Sequence, residues 1–334
     1  RYLFVLVYLI PLTTFLSIIS RGSLTYISPM IVFIFLPILE FVLPPLNSNY
    51  DEKTSNSENN NRFYDYLAYS IVPTQYLLLG FFLYSVQSNT FSSVELFGII
   101  FSMGISCGVL GINVAHELGH RVSKQEQLMA KLLLITSCYS HFFVEHNKGH
   151  HRHVSTPKDP ASAKLNQNLF SFWFISMFGS LKSAINLDRN QVFIWKLIET
   201  GLVITITIVF GAKAALSFLA AALIGALLLE SVNYIEHYGL QRKTLPSGRF
   251  EKVTPQHSWN SDHPIGRLIL FNLSRHSDHH ANINRKYQVL RSFQKDSPQY
   301  PTGYPGMILL SLVPPLWYRI MNKEVKRWED SRKV

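Results

Sequence analysis

Charged residues are scarce in this chain, and the apolar residues lack the patterning of a soluble protein. Asp, Glu, Lys and Arg make up only 16% of the 334 residues, whereas roughly 25% is usual in soluble domains. Hydrophobic residues make up 47%, and they come in long blocks instead of the helical or alternating patterns of soluble domains. The composition therefore excludes an ordinary soluble protein and indicates one built into a lipid bilayer.

Cysteine is almost absent too. The chain has 2 cysteines, Cys107 and Cys138, which lie far apart in sequence and in apolar surroundings. A disulfide framework, a CxxC redox motif and a zinc knuckle are therefore excluded. Both side chains are expected to be small buried hydrophobic groups.

Positive charge is in excess, but the usual features of a nucleic-acid-binding protein are missing. The formal net charge is +10, and the basic residues concentrate in two long polar segments, 116–190 and 236–334. Neither a glycine-rich phosphate loop nor a basic–aromatic repeat accompanies them. A membrane surface or an acidic protein partner is therefore expected, and no nucleic acid.

Six apolar segments are long enough to cross a bilayer, which takes about 20 residues in a helix. Every second connection between them is poor in Lys and Arg, with only Arg21 and Lys213. Cytoplasmic loops carry the excess of Lys and Arg, so both termini and the segments 116–190 and 236–334 are predicted to be cytoplasmic. The fold is predicted to be a single all-α membrane-embedded domain, 1–334, with spans over about 2–20, 24–46, 66–87, 94–115, 192–210 and 214–235.

Small and polar residues define two local features. The polar, low-complexity stretch 47–63 is predicted to be a mobile connection without chemistry. Gly104, Gly108 and Gly111 leave one face of the fourth span without side chains. Close helix packing through these small residues is the favoured interpretation, and a channel for a hydrocarbon substrate is the alternative.

Polar side chains recur at helical spacing near one end of two spans. Glu230, Asn233 and His237 share one face of the sixth span, and Asn113 and His116 do the same at the end of the fourth. Polar groups inside a membrane helix are costly unless they face partners or a cavity. A shared polar site near the cytoplasmic ends of these helices is therefore expected.

Histidine is the over-represented residue, with 13 in the chain, most of them in tight clusters. Histidines four residues apart lie on one helix face and are close enough to bind one ion, whereas adjacent histidines diverge by about 100° and can reach two ions or two sides of one ion. Imidazole suits iron, copper, zinc and nickel. Nine ligands exceed what one ion accepts, so two ions are expected. The nine candidate ligands are His116, His120, His146, His150, His151, His237, His276, His279 and His280.

Acidic and polar residues stand close to several of these histidines. A metal-bound histidine usually donates its other N–H to a carboxylate or a carbonyl. An outer shell around the ligands is therefore expected from Glu117, Glu145, Asp159, Glu236, Asp278 and Asn233, with one carboxylate joining the metals as the alternative. The four remaining histidines are interpreted as ordinary hydrogen-bonded side chains, namely His141, His153, His257 and His263.

Four sequence boxes carry a resemblance to a known family. They are HELGH at 116–120, EHNKGHH at 145–151 with DPA at 159–161, NYIEHYGL at 233–240, and RHSDHHA at 275–281. Together they resemble the boxes of the membrane alkane monooxygenases, and the similarity runs over nearly the whole chain. The xylene side-chain hydroxylases and the membrane fatty-acid desaturases are similar more distantly.

The resemblance implies a non-haem di-iron monooxygenase of the inner (plasma) membrane, with two Fe ions held by the nine histidines on the cytoplasmic side. It implies that O2 and electrons from rubredoxin and its reductase convert the terminal methyl group of medium-chain alkanes to a primary alcohol. Because the chain has no CxxC pair, both electron carriers are expected to be separate chains. An alkane has nothing to protonate, so no catalytic residue beyond the metal ligands is expected.

Three alternatives remain open at this point. A related hydroxylase would act on xylene-type methyl groups or fatty acyl chains. HELGH is also an HExxH zinc motif, in which Glu117 would be the general base of an intramembrane metalloprotease. That protease needs a third ligand on a later span, and Leu187-Asp188 lacks the context for it. A histidine-rich metal transporter would need ionisable residues along a path through the membrane, whereas these histidines gather at one side.

Overall fold

A computed structural model describes residues 2–332. In this part of the chain the regular structure is helical, and the only β pairing consists of two isolated bridges, Thr244 with Phe250 and Asn260 with Gln299. The prediction of an all-α protein is confirmed. The helices are α1 (Tyr2–Ile19), α2 (Gly22–Val42), α3 (Glu52–Asn59), α4 (Arg62–Ser88), α5 (Ser93–Gly119), α6 (Lys124–Ile135), α7 (142–153), α8 (Leu169–His237), α9 (Pro264–Ile269), α10 (His276–Ala281), α11 (Tyr304–Ser311) and α12 (Pro314–Ser331).

Five of the described helices are long and apolar enough to cross a bilayer: α1, α2, α4, α5 and α8. The first four match predicted spans, although α2 ends earlier than predicted because Pro44 and Pro45 follow it. Helix α8 has 69 residues, with non-helical backbone at Asp188 and at Gly211 (φ 82). These breaks divide it into segments 169–187, 189–210 and 212–237. The last two segments contain the fifth and sixth predicted spans, while the number of crossings stays a prediction.

The starts of the long helices are capped by their own sequence. Ser92 and Glu95 form a capping box at the start of α5, in which Ser92 Oγ accepts from Glu95 N and the Glu95 carboxylate accepts from Ser92 N. Asn168 caps α8 by accepting from Ser171 N over 2.8 Å. Such caps satisfy backbone N–H groups that have no partner within the helix. The helix boundaries therefore follow from local side-chain chemistry.

The stretch 47–63 differs from its prediction. It contains helix α3, capped by Asp51, whose carboxylate accepts from Thr54 N over 2.8 Å. The carbonyls of Leu46 and Ser48 each accept from Arg275 Nη2 over 3.1 Å. This stretch is thus helical over Glu52–Asn59 and not a loop throughout, because Asp51 caps the helix and a buried arginine from a distant segment holds the residues before it. The mobility of the stretch stays a prediction.

Glycines bring α5 and the last segment of α8 into close contact. A Cβ added at Gly104 would lie 2.5 Å from Ile224 Cγ2, and one at Gly225 would lie 2.7 Å from Cys107 Cβ. The favoured interpretation of close helix packing is confirmed for Gly104. Both helices run on from this contact to a histidine near their ends, His116 in α5 and His237 in α8. The contact therefore delivers both histidines to the same end of the bundle.

Candidate metal centre

Nine histidines meet at the ends of the helices in two groups. In each group, every ring has one nitrogen that lies within 4.8 Å of a nitrogen from each of the other rings. The rings come from α5 and the turn after it, from α7, from the end of α8 and from α10. The first group is His116, His120, His146, His151 and His279, and the second is His150, His237, His276 and His280. These are the nine residues that the spacing of the histidines singles out.

The Nε2 atoms in the first group face one another. His146 Nε2 lies 3.0 Å from His120 Nε2 and 2.9 Å from His151 Nε2. A neutral ring nitrogen makes only one hydrogen bond, as donor or acceptor, so hydrogen bonding does not account for both contacts. Nitrogens bound to one ion at about 2.1 Å and at right angles are about 3 Å apart. The spacing therefore fits rings that share a metal ion.

The second group has the same geometry. His150 Nε2 lies 3.2 Å from His280 Nε2, and His276 Nε2 lies 3.3 Å from His237 Nε2. All four rings are buried, whereas His120 and His151 of the first group are partly exposed. The first group is therefore closer to solvent.

A widened helical turn in α7 decides which rings share a group. Residues His146–His150 form a turn in which the N–H of His151 bonds back to the carbonyl of His146. A turn whose donor and acceptor are five residues apart along the chain aligns His146 with His151, and His150 then points to the other group. A regular helix would instead align His146 with His150. The spacing of these histidines does not reveal this local change.

Two of the predicted outer-shell acids contact a ring. Asp159 Oδ2 accepts from His150 Nδ1 over 2.9 Å, which leaves Nε2 facing its own group. Glu236 Oε2 lies 3.1 Å from His276 Nε2, and its other oxygen accepts from Tyr304 Oη over 2.8 Å. Glu236 therefore contacts the same nitrogen of His276 that faces the other rings of the second group.

The other predicted outer-shell residues point elsewhere. Glu117 Oε1 accepts from Arg121 Nη2 over 2.7 Å, and Asp278 pairs with Arg291 Nη2 at 3.0 Å. Glu145 is buried and its Oε1 has no hydrogen-bond partner among the described residues. Asn233 bonds to Glu230. Chain neighbours diverge on a helix, so adjacency in sequence does not bring these side chains onto the rings.

One further contact comes from outside the histidine boxes. The backbone carbonyl of His257 lies in the turn Pro255–His257. Its oxygen accepts a hydrogen bond from His237 Nδ1 over 3.3 Å. The ring of His257 is instead 3.1 Å from Glu251 Oε1, as expected of an ordinary hydrogen-bonded histidine. No pattern in the sequence identifies a backbone carbonyl as a partner of a distant ring.

Burial keeps the rings outside the membrane spans neutral. It lowers the pKa of His120 to about 3, and it lowers the pKa of five other rings well below 6.5: His146, His151, His276, His279 and His280. His150 is the exception, because burial lowers its pKa while the Asp159 carboxylate raises it to a net value of about 9. Neutral imidazole is the form that binds metal, so most of the rings are ready as ligands at neutral pH.

An apolar cavity of about 80 Å³ opens directly beside the two groups. His116 and His146 line it from the first group and His276 from the second, while Asn113 and Asn233 also lie in its wall. The rest of the lining is predominantly aliphatic and aromatic. A second apolar cavity of about 330 Å³ shares three of its lining residues, Phe33, Leu228 and Ile308.

Comparison with known proteins agrees with the site. Residues 92–311, which include all nine histidines, match the fatty acid desaturase family. Alkane 1-monooxygenase 2 of Pseudomonas aeruginosa is 39% identical, over 89% of this chain and 83% of the relative. The chain belongs to the alkane 1-monooxygenase family. Alkane 1-monooxygenase 2 of Alcanivorax borkumensis is 36% identical over 98% of this chain and 90% of the relative.

Membership of the alkane 1-monooxygenase family decides between the classes of protein considered above. The xylene/toluene monooxygenase hydroxylase component XylM of Pseudomonas putida is similar as well, but only 26% identical over 81% of this chain. Family membership does not support the metalloprotease alternative, and the structure shows Glu117 Oε1 accepting from Arg121 and from Tyr287 N. The predicted enzyme class, an alkane 1-monooxygenase, is confirmed.

Proposed function

We propose that this protein is a rubredoxin-dependent di-iron monooxygenase that hydroxylates the terminal methyl group of medium-chain alkanes. The observation that carries the proposal is the convergence of nine imidazoles in groups of five and four, three of which line an apolar cavity. Imidazole clusters suit iron, and an apolar cavity suits a hydrocarbon chain. Family membership supports the same reaction.

One iron would be held by each group of rings. When bound, the two irons supply the oxygen-activating redox chemistry that protein side chains lack. Asp159 and the carbonyl of His257 fix the orientation of His150 and His237 by accepting from their Nδ1 atoms. Such outer contacts set which ring nitrogen faces the metal and raise its basicity. If one carboxylate also binds a metal, Glu236 is the candidate, because its Oε2 lies beside His276 Nε2.

The cavity would position the alkyl chain with its end at the rings. Burying a methylene group from water contributes about 0.8 kcal/mol, but an alkane dissolved in lipid has already left water, so the cavity wall adds little affinity. Selectivity must then come from shape. Phe33, Leu228 and Ile308 stand between the two cavities, where the chain would pass. A hydrocarbon that continues into the second cavity would present only its terminal carbon to the rings.

The proposal places the rings and both termini on the cytoplasmic side of the inner membrane. The distribution of Lys and Arg supports this orientation. Electrons would come from separate rubredoxin and rubredoxin reductase chains. His120 and His151, the partly exposed rings, mark the side from which an electron carrier comes closest to the centre. The basic surface of the cytoplasmic segments would attract an acidic carrier.

The test uses the purified full chain in lipid nanodiscs. Metal analysis should find two irons per chain. Rubredoxin, its reductase and NADH are then supplied with O2 and a mixture of alkanes from hexane to hexadecane with xylene, and primary alkan-1-ols are the expected products. His150→Gln should abolish product formation, whereas His153→Gln, outside both groups, should not. One zinc per chain, desaturated products or benzylic alcohol alone would contradict the proposal.

A further inference from the structure

Glu230 is a deeply buried carboxyl group outside the two histidine groups. It lies in the last segment of α8 and is 0% exposed. Its Oε1 accepts from Tyr139 Oη over 2.6 Å, and its Oε2 accepts from Asn233 Nδ2 over 3.2 Å. Burying a carboxyl group in a membrane protein is costly. Its presence at this depth therefore points to a function.

Asn233 connects this carboxyl group to the substrate cavity. The Asn233 side chain lies in the cavity wall together with His116 and His146, and it holds the Oε2 side of Glu230. Glu230 itself does not line the cavity. The Asn233 side chain thus separates Glu230 Oε2 from the cavity that His116 and His146 line.

Tyr139 connects the same carboxyl group to a buried polar region on its other side. The Tyr139 ring packs against the His141 ring, with 4.3 Å between centroids. His141 is 4% exposed, and neither of its ring nitrogens has a hydrogen-bond partner among residues 2–332; the same holds for Ser140 Oγ and Glu145 Oε1. Buried polar groups that protein atoms do not satisfy are sites for ordered water.

The turn that carries Tyr139 reaches the protein surface at Lys196. Lys196 Nζ donates to the Cys138 carbonyl over 3.0 Å and to Glu199 Oε2 over 2.7 Å. Glu199 Oε1 in turn accepts from Ser140 N over 2.7 Å. The Lys196 side chain is 33% exposed and lines a surface cleft. Hydrogen bonds therefore lead from this cleft to Ser140 N, and a second set leads from Tyr139 Oη through Glu230 to Asn233. Between the two sets lie the unpartnered polar groups beside His141, where water would complete the connection.

We propose that Tyr139 and Glu230 form a proton route from the surface cleft at Lys196 to the substrate cavity at Asn233. The inference rests on the proposed function, because hydroxylation needs protons. The reaction converts R–H and O2 into R–OH and water, and it takes up two electrons from the reduced electron carrier and two protons from solution. The cavity wall is predominantly apolar, and its carboxyl group and phenol, Glu236 and Tyr304, are hydrogen-bonded to each other. Protons for repeated turnover must therefore be brought in from the surface through other polar groups.

The transfers along this route balance at each oxygen. Glu230, in its neutral form, releases a proton from Oε2 to a water molecule beside Asn233, which passes a proton on to water in the cavity, and it takes a proton from Tyr139 Oη at Oε1. Tyr139 regains its proton from water in the polar region beside His141. Only O–H bonds break and form, and Tyr139 and Glu230 return to their starting states. Deep burial favours the neutral, proton-carrying form of a carboxyl group.

A purely structural role is the competing explanation. Tyr139 and Glu230 would then fasten the turn before α7 to α8, and their loss would loosen the metal centre. The two explanations differ in what an amide does at position 230. Gln preserves the shape, and its oxygen can still accept from Tyr139 Oη, while its NH2 group can donate to Asn233 Oδ1 once the Asn233 amide has turned over. Gln carries no transferable proton, so it should abolish a proton relay but largely preserve a structural link between the turn and α8.

The test compares Glu230→Gln, Glu230→Asp and Tyr139→Phe with the wild-type protein under steady-state turnover. Glu230→Gln and Tyr139→Phe should lower kcat by about 100-fold, with KM and iron content unchanged and with an enlarged solvent deuterium isotope effect. Glu230→Asp, which keeps an acid, should recover a large part of kcat. Tyr234→Phe is the matched control, because this buried hydroxyl donates to the Gln167 carbonyl outside the route.

Infrared spectroscopy of the iron-free protein provides a readout that does not depend on activity. The wild-type spectrum should contain the carbonyl band of a buried protonated carboxylic acid. This band should vanish in Glu230→Gln and shift in Tyr139→Phe. Wild-type kcat in Glu230→Gln, a loss of kcat that follows iron content, or no change in the band would each overturn the proton route. Failure of the wild-type protein to hydroxylate alkanes would instead overturn the proposed function.

Discussion

Asp159 Oδ2 accepts a hydrogen bond from His150 Nδ1 over 2.9 Å, and both side chains are almost completely shielded from solvent. Asp159 is held in turn by Ser162 Oγ and by Ala161 N. Its position is thus set by the turn that the DPA sequence forms, and the His150 ring is oriented before any metal arrives.

Replacing this carboxylate should weaken metal binding. Asp159→Asn keeps the size of the side chain but removes the charge that favours the Nδ1–H form of His150, so affinity for iron should fall by about 10- to 100-fold. Iron retained per chain during titration with a chelator measures the change. Asp188→Asn is the control, because the Asp188 carboxylate contacts the exposed Lys148 and Gln191 N and none of the nine rings. Equal iron retention in Asp159→Asn and the wild-type protein would show that the contact does not support the site.

Substitutions of two adjacent histidines should each remove a different metal ion. His279 belongs to the first group and His280 to the second, so His279→Ala and His280→Ala should each lose about half of the bound iron. Mössbauer spectra of the two variants should lack different components. His141→Ala should keep the iron content of the wild-type protein. If both variants lost the same spectral component, the division into two groups would be wrong.

The passage between the two cavities should set the chain length of the substrate. Ile308 lines both cavities, and Ile308→Phe should narrow the passage and shift the products toward shorter alcohols. Product analysis from a mixture of alkanes measures the shift. Leu312→Phe is the matched control, because Leu312 lines only the second cavity. An unchanged product profile in Ile308→Phe would mean that the chain lies elsewhere.

The glycine contact between α5 and α8 should be sensitive to a single methyl group. Gly225→Ala would place its Cβ 2.7 Å from Cys107 Cβ and 3.0 Å from Gly108 N, and the backbone has little room to move. A loss of about 1–3 kcal/mol is expected, measured as a lower midpoint of thermal unfolding. Gly201→Ala in the same helix, where nothing lies within 4 Å, should not lower it. Similar midpoints in both variants would contradict the importance of this contact.

Much of the site could be predicted from the sequence, because ligand chemistry is local. Rings such as His276 and His280 are one helical turn apart, and rings such as His279 and His280 diverge, so spacing alone indicates two sites. The partners of the carboxylates could not be predicted in this way. Glu117 and Asp278 are neighbours of ligands in the chain, yet both pair with arginines. Which side chain meets which depends on helix rotation and on segments that are distant in sequence.

The sequence by itself determined a membrane-embedded helical protein with nine imidazoles as candidate metal ligands, because long apolar runs and the spacing of histidines act over one or two helical turns. Only the tertiary structure decided how those rings divide. The widened turn in α7 and the close approach of α5 and α8 at Gly225 place each ring in its group. The partners of Glu230 were also decided there, since Tyr139 is 91 residues away in the chain. Contacts at that separation follow from the packing of whole helices.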